Sequence, residues 1–569
     1  MFKRNKDKQY SVNDDATAIY KLYEKGVDHH NKINLYSKTE IAHRMFIGEQ
    51  WYGLEAGEEK LPFFNIIQPT IEHKVASIAM NNMSINYNSL NYDGNRQYMQ
   101  NICELLNKKA AQAWELLKMD SLVWQVVNDA CITGDSYLYF YDGTGAAQVI
   151  DNTNVYLSNE QDANIQAQKY ILIAERRFVT EIQEEAKENG IDDTQISMIT
   201  SDEETRYQLG EDARHELRNS GQYDGKCLSL LKLWKGDNGT VHFCRSTKNV
   251  IYQPDTAIDG LTVYPIANYV WLPKKGSARG MGEVTPLVAN QIEINRNLSR
   301  RIMNAKLTAF SRLVYSSGAI DNINDLDKVG VALQVSGGAG SVKDYITYLE
   351  PSPMSPDAKN LNDELINTTK DLAGAGDAAM GSINPERASG SAIIAVRDQA
   401  AIPLNRQISD YKQFIEDIAT IWYNLWVAYN PNGLEIAVSD GEEDIQENVS
   451  AEDLQVLEVN VRIDVSQANP FSKFAQEQSL EKLFEMQAIT FDEYVSALDS
   501  DSVMPKGKLQ DIIDKRGQQQ QIMQMLQQQS ELIQQQSSAI QAMQTARGQG
   551  GGTVADVPDM QEQIAQAGG

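Results

Sequence analysis

The hydrophobic positions of the chain follow two periods, and the first 130 residues follow the helical one. Apolar residues recur there at three- and four-residue spacing, which places them on one face of a helix. The pattern predicts helix over most of residues 14–50, ending near Gly48, a second helix beginning after Pro69, and a third that covers about 96–132.

From Gly134 the period changes to two, which is the spacing of a strand with one buried face. Strands are predicted at 137–141, around 147–157 and at 169–178. The strongest hairpin signal joins residues 227–235 to 240–244 through Asp237-Asn238-Gly239. Residues 181–222 are highly charged and predict a peripheral helical insertion.

Two helices with the same start signal follow. Thr285-Pro286 is suited to a helix start because Thr can cap free amides and Pro fits the first turn. Ser355-Pro356-Asp357 repeats the signal, and the second helix is expected to end at Gly374. The expected apolar sides are Leu287, Ile294, Leu298 and Ile302 in the first helix and Leu361, Leu365, Thr369 and Leu372 in the second. The insert between them carries an expected strand at 331–335.

The longest helical pattern lies near residues 391–429, with apolar positions from Leu404 to Leu425, and Pro403 inside it predicts a kink. A strand is predicted at 456–465. Helices are predicted at about 470–487 and 490–498, the latter with a capping box from Thr490 to Glu493. Residues 508–546 are Gln-rich, and their narrow apolar stripe indicates either a helical crown or coiled coil, or an amphipathic tail that is partly ordered.

Composition places the chain among globular proteins with more than one core. Its 569 residues exceed the size at which single cores stop growing, and 42% are hydrophobic. We therefore expect a mixed α+β, mainly α-helical fold. The net charge of −27 argues against a surface that grips nucleic acid, since phosphate binding needs many Lys and Arg. The acidity also has a simpler interpretation, which is solubility.

The sequence carries no recognised catalytic or cofactor motif. It lacks a G-x-x-x-x-G-K-[ST] loop, a Gly-x-Ser-x-Gly elbow and a zinc-type cysteine spacing. Two Gly-rich stretches, 374–381 and 276–282, lack dinucleotide spacing. Asp28-His29-His30 is expected to be solvated, because adjacent helical side chains point about 100° apart. We predict no enzyme, cofactor or metal, and four reduced cysteines in the core. No export signal and no membrane span are expected.

One charge feature stands out from the acidic average. Between residues 274 and 312, eight basic residues face two acidic ones, a local balance of about +6. Arg296 and Arg300 fall roughly opposite Ile294 and Leu298 on a helix. The face they form has two interpretations: a solvated surface paired with acidic neighbours, or a surface that meets an anionic partner.

The order of these parts resembles the portal proteins of tailed double-stranded DNA phages, over roughly residues 30–500. Several local phrases are similar as well. They are Phe46-Ile47-Gly48-Glu49-Gln50-Trp51 followed by Asn65-Ile66-Ile67, Gly134-Asp135-Ser136-Tyr137, Ser389-Gly390-Ser391-Ala392-Ile393, and Asn469-Pro470 before Ile489-Thr490.

The resemblance implies a ring built from wing, stem, clip, tunnel loop and crown. The implied parts are wing 1–284, first stem helix 285–308, clip 309–353, second stem helix 354–374, tunnel loop 375–390, long kinked helix and wing strands 391–469, crown helices 470–547 and flexible tail 548–569.

The resemblance also implies function and partners. The chain would form a homo-oligomer, a dodecamer, at the portal vertex of the virion capsid after assembly in the host cytoplasm. Double-stranded DNA would pass through its channel during packaging and ejection. Terminase large subunit, a head-tail adaptor, and major capsid and scaffold proteins would be its partners, with no membrane. The alternatives are a head-tail adaptor or scaffold-type protein that oligomerises through the C-terminal helix, and a terminase or other nucleic-acid enzyme.

Two groups of residues are the candidate site. In the tunnel loop they are Asp377, Met380, Ile383, Glu386 and Arg387. On the basic face of the first stem helix they are Arg296, Arg300, Arg301 and Lys306. Small residues and glycines in the loop let many copies crowd around an axis, and the basic face is expected to meet a partner rather than to hold DNA.

Overall fold

A computed structural model of the chain describes two units, residues 1–468 and 469–569. The described residues are 12–51, 62–79, 82–90, 96–202, 225–309, 312–315, 321–322, 324, 334, 336, 341, 345–349, 357–374, 402–439, 444–457, 459–466, 480–484, 486, 488–491, 494–495 and 538. All elements that follow belong to the first unit unless stated otherwise.

Five helices build the N-terminal part: α1 Val12–Lys32, α2 Leu35–Ile47, α3 Ile67–Ala79, α4 Arg96–Leu116 and α5 Met119–Thr133. Two predictions need correction here, because the helices predicted at 14–50 and 96–132 are each divided in two. The breaks fall at Asn34 and Lys118, which adopt left-handed backbone with φ of 56° and 52°. Neither residue is a glycine or proline, so no breaker marked the positions. Gly48, with φ 93°, ends α2 as predicted.

Two antiparallel sheets follow. Their strands are β2 Asp135–Phe140, β3 Ala147–Ile150, β4 Val155–Leu157, β5 Tyr170–Phe178, β6 Lys226–Lys235, β7 Val241–Ser246, β8 Ile251–Ala257 and β9 Ile266–Val270. One sheet has the order β3-β2-β9 and the other the order β4-β5-β6-β7-β8. The predicted hairpin is confirmed as β6 and β7, with Lys235 opposite Val241. The turn between them uses Gly239 at φ 78°.

The charged insertion is helical where the structure describes it, with α6 Val179–Glu188 and α7 Asp193–Ile196. It is not purely peripheral, because Ile182 and Ala186 are buried in a small core with Val250 and Tyr252 next to and on β8. Residues 203–222 of the prediction lie outside the described residues.

The two helices predicted after the sheets are present. A 3₁₀ turn at Thr285–Leu287 leads into α8 Val288–Ala309, and α9 Asp357–Leu372 ends before Gly374 at φ 65°. The turn begins after Val284, so Thr285 occupies its first position and does not cap it as predicted. In the insert, β10 Arg312–Tyr315 pairs antiparallel with β11 Ile346–Leu349. The strand expected at 331–335 lies outside the described residues, apart from Gln334.

The long helix α10, Asn405–Tyr429, forms the centre of the main core. Its predicted stripe from Leu404 to Leu425 is buried, with Ile408 partly so. Pro403 does not kink α10, because it lies in a 3₁₀ turn at Ile402–Leu404 directly before the helix. A proline fits there, since the first turn needs no backbone N–H donor. Residues 391–401 of the predicted helix are not among the described residues.

The last strands close the unit onto its beginning. Strand β1 Asn82–Ser89 pairs antiparallel with β14 Val459–Ser466, and β12 Leu434–Ser439 pairs with β13 Asp444–Val449. The strand predicted from 456 starts later because α11, Ala451–Val456, precedes it. Ser450 caps α11 by accepting a hydrogen bond from the Asp453 backbone amide.

Little of the second unit, residues 469–569, is described. Residues 480–484 are helical, and the Tyr494 amide donates to the Thr490 carbonyl at 2.9 Å. The described residues include only part of the helices predicted at 470–487 and 490–498. Of the Gln-rich segment, they include only Ser538. In the first unit all four cysteines are free and buried, as predicted: Cys103, Cys131, Cys227 and Cys244.

Candidate functional site

The first helix of the predicted stem is anchored by two buried amides. Gln291 donates from Nε2 to the Phe64 carbonyl at 2.6 Å and accepts at Oε1 from the Ile66 amide at 3.1 Å. Asn295, one turn later, accepts from the Phe64 amide at 2.9 Å. Both side chains are fully buried. The backbone of Phe64 and Ile66, just before α3, is therefore hydrogen-bonded to two side chains of α8.

The same network explains the phrase around Gln50 and Asn65. Asn65 accepts at Oδ1 from the amides of Ile67 and Gln68, which caps α3. Gln50 donates to Asn65 Oδ1 at 3.1 Å and accepts from Asn295. Two short phrases that are 15 residues apart thus meet on α8, which lies more than 200 residues later in the sequence.

Just before α8, a buried arginine gathers acidic groups from several elements. Arg279 donates to both oxygens of Glu160, from Nε at 2.9 Å and from Nη2 at 3.0 Å. It donates to Asp135 Oδ2 at 3.1 Å and to the Val155 carbonyl at 2.6 Å. Burial opposes its charge, but the neighbouring Tyr137, Glu160 and Asp135 keep the pKa of Arg279 well above its usual value. The guanidinium is an interior ion-pair centre.

This finding corrects the interpretation of the basic segment. Arg279 was counted among eight cations that could form a surface, yet its side chain is almost fully buried and paired. Its partners Glu160 and Asp135 lie more than a hundred residues away in sequence, so no local pattern indicated them. The basic surface of the segment 274–312 is therefore smaller than the sequence suggested.

His30 belongs to the same cluster, contrary to the expectation that Asp28-His29-His30 is solvated. Asp28 is exposed, but His30 is fully buried and stacks on Tyr156 with ring centroids 4.6 Å apart. Arg279 Nη2 lies 3.0 Å from His30 Nε2. A guanidinium can only donate, so Nε2 accepts, and the ring is neutral with its proton on Nδ1 toward Tyr36 Oη at 3.2 Å.

The pKa of His30 agrees with a neutral ring. Burial lowers the pKa to about 4. The hydrogen bond that a protonated ring would donate to Glu160 opposes the shift, and the charge of Arg279 adds to it. No local pattern indicated this burial, because two adjacent histidines are typical of a polar helix surface.

Glycines allow the end of α5 and the segment before α8 to approach each other closely near the cluster. A Cβ on Gly280 would lie 2.1 Å from the Gly134 carbonyl oxygen, and one on Gly282 would lie 2.1 Å from the Ile132 oxygen. Gly134 itself has φ 120°, a conformation that favours glycine. Close packing therefore accounts for Gly134 in the Gly134-Asp135-Ser136-Tyr137 phrase and for Gly280 and Gly282 in the Gly-rich stretch.

Along α8 the surface becomes basic and partly apolar. Arg296 and Arg300 are exposed by 50% and 63%, and both lie near Glu293, at 3.5 and 3.3 Å. Lys306 is exposed as well, whereas Arg301 is half-buried. At about 100° per residue, Arg301 falls on the side of Ile294, away from Arg296.

The apolar sides of the two stem helices are only partly as predicted. On α8, Leu287 and Ile294 are buried, but Ile302 is 36% exposed. On α9, Thr369 is buried, but Leu361 and Leu372 are 51% and 70% exposed. The side of α9 that is buried carries Asn362, Thr369 and Ala373. The stripe of leucines was expected to face the molecule's own core, but Leu361 and Leu372 face outward, while Asn362 and Thr369 take the buried positions of the helix.

Comparison with known families decides the identity. The family model described as Phage P22-like portal protein matches residues 237–567, more than half of the chain. The chain belongs to this family. No curated protein matches the chain.

The match covers the portal elements most relevant to the site. It includes α8, the β10–β11 insert, α9, α10 and the Gln-rich segment, whereas α1 to α7 and most of the five-stranded sheet precede it. The identified family confirms the resemblance seen in the sequence. The mixed α and β structure is consistent with a portal protein, and the family is a structural one.

The tunnel-loop candidates cannot be placed in this site. Asp377, Met380, Ile383, Glu386 and Arg387 lie outside the described residues. Within the described part of the chain, no group of three His, Cys, Asp or Glu side chains is arranged to hold a metal ion. The same described residues contain no helix that is long and apolar enough to cross a membrane.

Proposed function

We propose that the portal chain is the subunit of a closed ring at one capsid vertex, through which double-stranded DNA enters during packaging and leaves during ejection. The observation that carries this proposal is the pair α8 and α9. They pack on each other, are joined by an insert whose ends pair as β10 and β11, and lie within the range matched by the portal family.

The dimensions and charge of the chain support a channel. Helix α8 has 22 residues and so extends about 33 Å, which is long enough for one tilted helix of a channel wall. The chain carries a net charge of −27. A lumen with net negative charge repels phosphates, so DNA slides along it instead of binding. Double-stranded DNA is therefore the cargo of the ring rather than a tightly held ligand.

The remaining parts take their roles from their positions along the chain. The insert at 309–353 is the clip, which docks terminase large subunit during packaging and a head-tail adaptor afterwards. Residues 375–390 form the tunnel loop, where Met380 and Ile383 make apolar contact with passing DNA and Arg387 touches phosphate transiently. Major capsid and scaffold proteins surround the ring, which has twelve copies and carries out no catalysis itself.

A packaging assay tests this function. Procapsids assembled with the chain and supplied with terminase, ATP and linear DNA should protect a genome length of DNA from nuclease. Procapsids assembled without the chain should protect none. Equal protection in the two samples would refute the portal role, and a chain that supports assembly but no DNA entry would favour a scaffold-type role instead.

A further inference from the structure

Helix α9 has an exposed apolar stripe with an acidic edge. Leu361 and Leu372 are eleven residues apart, so at about 100° per residue they point within about 20° of each other and lie about 16 Å apart along the axis. Glu364 and Asp371 are exposed and fall on one side of this stripe. Lys359 and Lys370 lie on the opposite side of the helix from the stripe, beyond the buried positions. Among the described residues, neither Glu364 nor Asp371 has an ion-pair partner.

Helix α8 has an exposed apolar patch with the opposite charge at its border. Met303 is 59% exposed and Ile302 is 36% exposed. By the same helical geometry, Arg296 lies nearly in line with Met303 two turns earlier, Arg300 lies about 60° to one side, and Lys306 lies about 60° to the other side, toward Ile302. Glu293 lies near both Arg296 and Arg300, so two cations share one carboxylate. The patch therefore keeps a net positive border.

The two patches are complementary and lie on different helices of the same chain. Helices α8 and α9 already contact each other within one copy, whereas Leu361 and Leu372 of α9 and Met303 of α8 stay exposed there. The basic patch of α8 therefore does not cover the acidic stripe of α9 within one copy. A surface that fits a different surface of an identical chain forms a head-to-tail contact, and such contacts close into rings when the rotation allows.

We propose that Ile302 and Met303 of one copy, bordered by Arg296, Arg300 and Lys306, dock on Leu361 and Leu372 of the next copy, bordered by Glu364 and Asp371. The occupant of each patch is a second copy of this chain. This proposal rests on the proposed function and adds to it the residues that join neighbouring subunits. It also assigns the basic face of α8 to a protein partner rather than to DNA.

Mixing two charge-reversed chains tests the proposal most sharply. One full-length chain carries Arg296→Glu and Arg300→Glu, and the other carries Glu364→Lys and Asp371→Lys. Each alone places like charges at every contact and should lower the fraction of rings by at least about tenfold relative to the unmodified chain, measured by mass photometry. In a 1:1 mixture, rings of alternating copies restore opposite charges at every contact, so the ring fraction should recover.

A neighbouring residue provides the matched control. Asp363→Lys makes the same charge change as Glu364→Lys on the adjacent position, which is about 100° around the helix from Glu364 and about 160–180° from the stripe. It should leave the ring fraction unchanged, whereas Glu364→Lys alone should lower it. Circular dichroism and melting temperature of each variant must match those of the unmodified chain, which separates loss of assembly from loss of folding.

The failure of this proposal differs from the failure of the proposed function. If the unmodified chain forms rings and both charge-reversed chains also form them, the α8–α9 contact is wrong while the portal ring stands. If the two reversed chains lose rings but the mixture does not recover them, the pairing is likewise wrong. If the unmodified chain forms no rings under any assembly condition, the ring itself and this contact both fail.

Discussion

Arg279 holds Glu160 through two parallel hydrogen bonds of 2.9 and 3.0 Å, although 119 residues separate the two in sequence. The same guanidinium contacts Asp135 on β2 and the backbone of β4. His30 on α1 lies against it. One side chain thus joins both sheets and the first helix, nine residues before α8 begins.

We expect Arg279→Met to destabilise the folded chain by about 3–5 kcal/mol, because Glu160 and Asp135 then stay buried without their cation. Chemical denaturation measures the loss. Arg406→Met is the control, since Arg406 is exposed and only 3.7 Å from Asp410 in a surface pair, where such pairs contribute about 0–1 kcal/mol. Similar denaturation midpoints for the two variants would show that the cluster does not support the fold.

His30 should make stability depend on pH between about 4 and 6.5. Its folded pKa of about 4 lies below the ordinary value of 6.5, so the unfolded chain binds the proton first as pH falls. Stability from this group is fully present above pH 6.5 and is lost toward pH 4, in total roughly 3 kcal/mol at 1.36 kcal/mol per pKa unit.

The test compares the pH dependence of unfolding for the unmodified chain and His30→Gln. Asp129 acts in the opposite direction, because burial and then the charge of Asp151 raise its pKa to about 7, but it is present in both chains and cancels in the difference. The variant should show a smaller loss of stability from pH 6.5 to 4. Parallel curves would mean that His30 is not the titrating group.

Periodic features of the fold could be predicted from the sequence, whereas long-range pairings could not. The β6–β7 hairpin, α8, α9 and the buried stripe of α10 follow from spacing and start signals within each segment. The burial of Arg279 and His30 depends on Glu160 and Asp135, which no local window contains. Strand β1 likewise pairs with β14 from the far end of the unit.

The outward orientation of the α9 leucines could not be predicted from local pattern either. Leu361 and Leu372 have the spacing of a core-facing stripe, and periodicity records only that they share a side. Whether that side meets the chain's own core or another molecule depends on the packing of α9 against α8. For the same reason, periodicity could not predict that Ile302 of α8 is exposed.

Deleting Asp321 to Ser341 should abolish binding of terminase large subunit and leave rings intact. The deletion spares β10 and β11, whose pairing from Arg312 with Leu349 to Tyr315 with Ile346 closes the insert. Co-sedimentation of purified rings with terminase measures binding, and mass photometry checks assembly. Loss of rings with terminase binding retained by the monomer would mean that the insert serves assembly and not docking.

Removing Ala379 to Asn384 should shorten the proposed tunnel loop without affecting assembly. Because the loop is proposed to touch DNA at the narrowest point, heads assembled with this variant should either leak packaged DNA or stop late in packaging. Nuclease protection as a function of time distinguishes the two outcomes. A full genome packaged at the normal rate and retained would reduce the loop to a connector.

The most direct test of the account is an electron-microscopy reconstruction of the purified full-length chain. The account predicts closed rings with an axial opening wide enough for duplex DNA, about 20 Å, and with α8 and α9 of successive copies side by side in the channel wall. Monomers, open filaments, or rings whose opening is too narrow for a duplex and whose α8 and α9 lie away from the axis would contradict it.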